Sequence, residues 1–133
     1  MLDVFMSEVL VKDIMIRIIR TIGPEEKIAL ARLKMLRYGV GALPVVKEDN
    51  SLVGMLTLRD ISLAGMDIGN LSVNDLMTKD HLIMGTETTT LIEVADMMIK
   101  TGIQRIPIVD GERKLLGLMT QSVLIRLFRD LFK

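Results

Sequence analysis

The chain has 133 residues, of which 50% are hydrophobic but only 3% aromatic. Its core must therefore be built from aliphatic side chains and methionine. The 17 basic residues balance the 17 acidic ones, and without a net positive field nucleic acid is not expected as a partner. The absence of cysteine excludes disulfides and thiolate chemistry.

Two further features of the sequence bear on the cellular location of the protein. Charged residues interrupt every apolar run well before the ~18 to 20 residues that a membrane-spanning helix requires, so no membrane partner is expected. The N-terminus lacks the charged and then apolar pattern of a signal peptide. Together with the lack of cysteine, this predicts a cytoplasmic location.

The first half of the chain predicts a strand, a helix, a hairpin and a second helix. Apolar residues recur at helical spacing before Gly39, which stands where helices commonly end. Two short apolar runs separated by the polar residues 47–50 predict a β-hairpin. The expected elements are a strand at 18–22, a helix at 25–38, strands at 43–46 and 52–58, and a helix from 58 to about 65.

The same pattern recurs in the second half, which indicates two copies of one fold. Three segments return in the same order: 11–15 as 73–77 at an offset of 62, and both 43–46 as 106–109 and 54–57 as 117–120 at an offset of 63. The second copy thus has a leading strand at 82–84, a turn at Asp110-Gly111, and a helix from Gln121 to the C-terminus. The predicted division is 1–65 for the first repeat, 66–72 for a linker and 73–133 for the second repeat.

A Gly-x-x-Thr-x-x-Asp motif at 54–60 joins a predicted strand to a helix, with Thr57 and Asp60 three residues apart. One interpretation is a capping box, in which both side chains only stabilise the helix start. The other is a nucleotide site, because helix-start amides suit a phosphate and a carboxylate can accept hydrogen bonds from both ribose hydroxyls. The motif by itself favours the capping box.

The second copy differs from the first at two positions that matter for a nucleotide. It keeps the hydroxyl at Thr120 but has Val123 in place of the acid. It also has Arg105 where the first copy has Ala42. Arg105 is either a solvated side chain or a charge-assisted, bidentate contact for a phosphate.

The chain holds no recognisable catalytic machinery. His81 is the only histidine, and no acidic or cysteine cluster accompanies it at metal-ligand spacing. No Ser/His/Asp arrangement or Walker-type loop is present either. We therefore expect no enzyme, no metal and no catalytic cofactor.

The predicted C-terminal helix is amphipathic. Its apolar face consists of Leu124, Leu127, Phe128, Leu131 and Phe132. Packing on the chain's own core is the favoured use of this face, a dimer contact comes second, and a membrane surface third.

The repeated segments together resemble a tandem pair of cystathionine-β-synthase (CBS) domains, often called a Bateman module. The resemblance covers nearly the whole chain. It rests on the Val-x-Asp-Ile-Met segment, Thr-Ile-Gly-Pro-Glu at 21–25, Gly-Val-Gly-Ala-Leu-Pro-Val-Val at 39–46, and the Gly-x-x-Thr-x-x-Asp motif. It implies an α/β (α+β) fold of two β-α-β-β-α repeats packed through their sheets with pseudo-two-fold symmetry, and a homodimer formed through the helices.

The resemblance further implies clefts between the repeats that bind adenosine-containing ligands, each cleft using both copies. In the first cleft Asp60 would hold the ribose, and Arg105 would hold a phosphate as a similar arginine does in the γ subunit of AMP-activated protein kinase. The residues implied for this site are Met55, Leu56, Thr57, Leu58, Arg59, Asp60, Ile83, Met84, Gln104, Arg105, Ile106 and Pro107.

The opposite cleft departs from the family pattern at Ala42 and Val123, so we expect a degenerate second site. Its residues would be Thr21, Gly41, Ala42, Leu43, Pro44 and Thr120.

The prediction is a non-catalytic regulatory sensor that binds AMP, ADP or ATP as a ligand and alters the geometry of its dimer or of an unknown effector protein. A structural dimerisation module without ligand is the alternative from another class. S-adenosylmethionine is an alternative ligand, although Arg105 favours one that carries phosphate.

Overall fold

The computed structural model describes residues 8–65 and 67–133. The fold is mixed α+β, as the sequence predicts, and it divides into two compact units. The first unit is Arg20–Leu82, and the second combines the described residues up to Ile19 with Ile83–Lys133. None of the described helices is long and apolar enough to cross a membrane.

The first unit consists of a two-stranded antiparallel sheet with helices around it. Its elements are α1 (Ile28–Tyr38), β1 (Ala42–Val46), β2 (Leu52–Thr57), α2 (Leu58–Leu63) and α3 (Val73–Leu76). The predicted leading strand is reduced to one residue, Ile22, which forms a parallel bridge with Val45. Fully buried Ile28, Leu43 and Leu56 belong to the core of this unit.

Helix α1 begins three residues later than the periodicity predicts. The backbone just before it is engaged elsewhere: Pro24 and Glu26 accept hydrogen bonds from the amides of Asn74 and Val73, at 2.9 and 2.8 Å. These residues are held by the start of α3, so they cannot join the helix. The helix ends as predicted at Gly39, which adopts a left-handed conformation with φ of 64°.

The second unit has a three-stranded sheet in the order β3-β4-β5. Its elements are a short 3-10 helix (Val11–Asp13), β3 (Gly85–Thr86), α4 (Leu91–Thr101), β4 (Arg105–Val109), β5 (Leu115–Thr120) and α5 (Gln121–Leu131). Strand β3 pairs in parallel with β4, and β4 pairs antiparallel with β5. The leading strand therefore starts at Gly85, just after the predicted 82–84.

The apolar face predicted for the C-terminal helix is divided in the structure. Leu124 and Leu127 pack against the core of the second unit. Phe128 and Phe132 are each 63% exposed, and their rings lie 4.8 Å apart. The prediction that this whole face packs on the chain's own core is wrong for the two phenylalanines, which lie toward the C-terminal end of α5, after the leucines that contact the core.

The segment that opens each repeat packs in the unit of the other repeat. Met15 contacts Gly117 of β5, and Ile16 forms a bridge with Leu118. In the first unit, Met77 packs against Gly54 of β2 in the corresponding way. The compact units therefore do not coincide with the sequence repeats, because each contains the opening segment of the other repeat. The predicted division of the chain into 1–65, 66–72 and 73–133 stays a prediction about the repeats.

Candidate functional site

The turn between β2 and α2 has the geometry of a capping box. The Asp60 amide donates to Thr57 Oγ1 at 3.1 Å, and the Thr57 amide donates to Asp60 Oδ2 at 2.9 Å. The Leu58 amide donates to the Gly41 carbonyl oxygen at 2.8 Å, which fixes the turn against the start of β1. The capping interpretation of the motif is thus confirmed as a description of the helix start.

This cap leaves part of the motif able to bind a ligand. Asp60 is only partly buried, and its Oδ1 accepts no hydrogen bond from the described residues. Thr57 accepts with its hydroxyl oxygen and retains its own proton as a donor. One carboxylate oxygen is therefore held in place by the backbone while the other remains an acceptor, so capping and ligand binding are compatible.

The equivalent turn of the second copy has only half of this arrangement. The Val123 amide donates to Thr120 Oγ1 at 3.2 Å, but Val123 has no carboxylate to return the bond. The Gln121 amide donates to the Gln104 carbonyl oxygen at 3.0 Å. The threonine hydroxyl caps the helix start in both copies, whereas the carboxylate is present only at Asp60 of these two turns.

Arg105 is the first residue of β4 and pairs with Thr120 of β5. Its side chain is partly buried and forms no hydrogen bond or ion pair with the described residues. Ala42 occupies the corresponding place in the first unit, opposite Thr57. Within each unit, the first residue of the strand therefore pairs with the threonine of that unit's own turn. Asp60 and Arg105 belong to different units, and their combination in one site stays a prediction.

Several predicted site residues serve the cores of their units. Leu43, Leu56 and Ile106 have no exposed surface, so their side chains cannot reach a ligand and only backbone atoms could. The rest divide by exposure: Pro44, Met55 and Pro107 are buried; Gly41, Ile83, Met84 and Thr21 are partly buried; Leu58, Arg59 and Gln104 are exposed.

Lys34 contacts the backbone of Thr21, and Arg20 precedes Thr21 in the chain; the sequence prediction includes neither. Lys34 Nζ donates to the Thr21 carbonyl oxygen at 2.8 Å. The Arg20 guanidinium lies 4.0 Å from the centre of the Tyr38 ring, which is a cation–π distance. The sequence could have indicated only that Lys34 and Tyr38, four residues apart, lie on one face of α1. That this face contacts residues 20–21 depends on the fold.

Among the residues that the structure describes, no group of three or more His, Asp or Glu side chains is placed to hold an ion.

The CBS domain family model matches the chain twice, over residues 11–67 and 73–130. Inosine-5'-monophosphate dehydrogenase of Aquifex aeolicus is 34% identical over 106 residues, covering 80% of this chain and 22% of that protein. The chain thus spans about a fifth of the length of this relative.

Two solved structures share the fold. The CBS domain pair of protein MJ0100, in complex with 5'-methylthioadenosine and S-adenosyl-L-methionine, has a TM-score of 0.82 and 30% identity over 92% of this chain and 97% of that one. Protein MJ1225 from Methanocaldococcus jannaschii, a proposed archaeal homolog of g-AMPK, has a TM-score of 0.82 and 28% identity, covering 90% of this chain and 48% of that one.

Proposed function

Because the chain belongs to the CBS domain family and carries the domain twice, we propose that it is a non-catalytic regulatory module whose ligand is an adenosine nucleotide. The observation that carries the proposal is the Asp60 carboxylate. One of its oxygens is fixed by the Thr57 amide at 2.9 Å, and the other has no partner among the described residues. A preorganised acceptor of this kind suits the two hydroxyls of a ribose.

Arg105 supports a ligand that carries phosphate. The Arg105 guanidinium is partly buried and has no ion pair with the described residues, so it has already lost part of its hydration. A bound anion can compensate for the lost hydration by charge-assisted hydrogen bonds. We therefore favour AMP, ADP or ATP. The MJ0100 pair, which is crystallised with 5'-methylthioadenosine and S-adenosyl-L-methionine, makes these two compounds the second choice.

The proposal also covers how the module acts. Large apolar side chains are exposed on helices, among them Leu36 and Phe128, and such surfaces favour association with a partner. We propose a homodimer formed through helices, located in the cytoplasm, whose geometry changes with the ligand and is read by an effector protein.

Isothermal titration of the full chain with AMP, ATP, S-adenosylmethionine and 5'-methylthioadenosine tests the ligand class. AMP or ATP should bind best. Arg105→Met should weaken both by about tenfold or more, as expected for a lost charge-assisted contact of ~1.5 to 3 kcal/mol. The same substitution should leave 5'-methylthioadenosine, which has no phosphate, nearly unaffected.

A matched control is Arg126→Met on exposed α5, which should change none of the affinities. Failure of every adenosine compound to bind at millimolar concentration would overturn the proposal. It would leave the second candidate, a structural dimerisation module, which the complete capping box of Thr57 and Asp60 favours.

A further inference from the structure

The segment that opens each repeat ends in a methionine, and the fold uses both methionines in the same way. Met77 packs against Gly54 of β2, and Met15 packs against Gly117 of β5. A methyl group on Gly54 would lie 2.7 Å from Met77 Sδ and 3.0 Å from its Cγ. The thioether of Met77 therefore lies directly on the glycine backbone, in space that a larger residue than glycine would fill.

The residue after each methionine is hydrogen-bonded to a strand of the same unit. The Thr78 amide donates to the Met55 carbonyl oxygen at 2.8 Å, and the Met55 amide donates to the Thr78 carbonyl oxygen at 3.0 Å. Ile16 and Leu118 form the corresponding pair of bonds in the second unit, at 3.0 and 2.9 Å. Each thioether thus stands beside a bridge that holds an opening segment to β2 or to β5.

The two methionines differ in their access to solvent. Met15 is buried, with 7% of its surface exposed, and it belongs to the core of the second unit. Met77 is only partly buried and lines an open pocket of about 430 Å³. Polar residues, Lys47, Ser72 and Asn74, line the same pocket. A small polar molecule can therefore reach Met77 from solvent, whereas Met15 is enclosed.

A hydroperoxide is the class of molecule that reacts with an accessible thioether. Its O–O bond breaks, one oxygen is transferred to the sulfur, and the remainder leaves as water or an alcohol; the sulfur loses the two electrons that the peroxide gains. The sulfoxide is polar and requires hydration or a hydrogen-bond donor. Met77 packs between Gly54 and the apolar core of the first unit, where an added oxygen is unfavourable, so the oxidised side chain must turn toward the pocket.

We propose that Met77 is a methionine oxidation site whose sulfoxide releases the opening segment of the second repeat from β2. The matching contact of Met15 stays intact, because that sulfur is enclosed. The effect is local: the Met55–Thr78 bridge loosens two residues before Thr57, in the strand that leads into the candidate site. This redox sensitivity does not depend on whether the chain binds a nucleotide.

Treatment of the full chain with a limiting amount of hydrogen peroxide, followed by peptide mass spectrometry, tests the site. Met77 should be converted to the sulfoxide several-fold faster than Met15. Amide hydrogen exchange of the oxidised chain should accelerate by about tenfold or more at the Met55–Thr78 bridge, and stay unchanged at the corresponding bridge of the second unit. Methionine sulfoxide reductases A and B together should restore slow exchange.

Met77→Leu is the matched variant, because it keeps the size and apolar character of the side chain and removes the sulfur. Met84 and Met97 are also partly buried, and this variant separates their oxidation from that of Met77. After the same treatment its bridge should exchange as slowly as before, and circular dichroism melts verify that it is folded.

Equal acceleration in peroxide-treated Met77→Leu would overturn the proposal. Oxidation of Met77 without faster exchange at the Met55–Thr78 bridge would also contradict it. Conversion of Met77 no faster than that of Met15 would do the same, and this comparison uses the wild-type chain alone.

Discussion

The capping role of Asp60 and its proposed role in ligand binding can be separated by a suitable pair of substitutions. Asp60→Ala removes the acceptor for the Thr57 amide and should lower the free energy of unfolding by ~0.5 to 2 kcal/mol, the usual size of a capping effect. Asp60→Asn keeps a carbonyl oxygen for that amide and should lose much less. Chemical denaturation of both variants without ligand measures the difference.

The same pair distinguishes the cap from the ligand site. In Asp60→Asn the side-chain oxygen is held by the Thr57 amide, so the introduced asparagine would present an NH₂ donor where the ribose needs an acceptor. Nucleotide affinity should therefore fall in both variants, although only one loses stability. If Asp60→Asn binds nucleotide as wild type does, Asp60 serves the helix alone.

Gly54 illustrates a constraint that the Gly-x-x-Thr motif does not reveal by itself. A methyl group on Gly54 would lie 2.8 Å from the Thr78 carbonyl oxygen and 2.7 Å from Met77 Sδ. The backbone oxygen cannot withdraw, because the Thr78 amide and carbonyl are bonded to Met55. Gly54→Ala should thus destabilise by roughly 1 to 3 kcal/mol, as overpacking does.

Gly117→Ala is the matched comparison. There the three atoms nearest to the added methyl group all belong to the flexible side chain of Met15, which can change rotamer, so the loss should be smaller. Thermal denaturation of the two variants shows which substitution causes the larger loss of stability. Equal losses would mean that the methionines, and not the Thr78 carbonyl, set the cost.

At the scale of elements, the sequence predicts what local chemistry determines. The helix ends at Gly39 and Gly102, the hairpin turns and the cap at Thr57 all depend on residues close together in the chain, and all are present. The delayed start of α1 and the near loss of the first strand depend on bonds to residues some 20 to 50 positions away, such as Glu26 with Val73. Periodicity carries no information about such partners.

The candidate site divides in the same way. The carboxylate of Asp60 and its absence at Val123 can be read from the sequence, and the hydrogen bonds of the two helix starts differ accordingly. The burial of the Leu56 and Ile106 side chains could not be predicted from the sequence. An apolar residue beside a site motif gives the same sequence pattern whether its side chain contacts a ligand or the core. The joining of Asp60 with Arg105 follows from the family resemblance alone.

Val11 tests the offset between the repeats and the compact units. It lies in the first repeat but is fully buried in the core of the second unit. Val11→Ala removes two methyl groups at ~0.8 kcal/mol each and leaves a cavity, which predicts a loss of roughly 2 kcal/mol. Hydrogen exchange should accelerate mainly within 83–133, and the reverse pattern should follow Val73→Ala, which is buried in the first unit. Faster exchange confined to 20–82 in Val11→Ala would contradict the offset.

For the whole molecule, the asymmetry of the two copies supports our proposal with a single strong nucleotide site per chain. The full set of polar groups occurs once in the sequence. It consists of Asp60, which follows the threonine of the first copy, and Arg105, which precedes the Ile-Pro pair of the second copy. The complementary set has Val123 and Ala42 in these places. If the proposal holds, the ribose of the ligand depends on Asp60 and its phosphate depends on Arg105, so loss of either side chain should weaken binding.

Hydrogen exchange with and without saturating nucleotide tests whether both Asp60 and Arg105 take part in binding. AMP or ATP at about 100 times its dissociation constant should stabilise the chain by ~2.7 kcal/mol, with slower exchange both around Thr57–Asp60 and around Gln104–Arg105. A variant with Asp60→Asn and Arg105→Met together should show neither effect at the same concentration. Protection at Thr57–Asp60 that persists undiminished in Arg105→Met, with none at Gln104–Arg105 in wild type, would show that the nucleotide is held by the first unit alone.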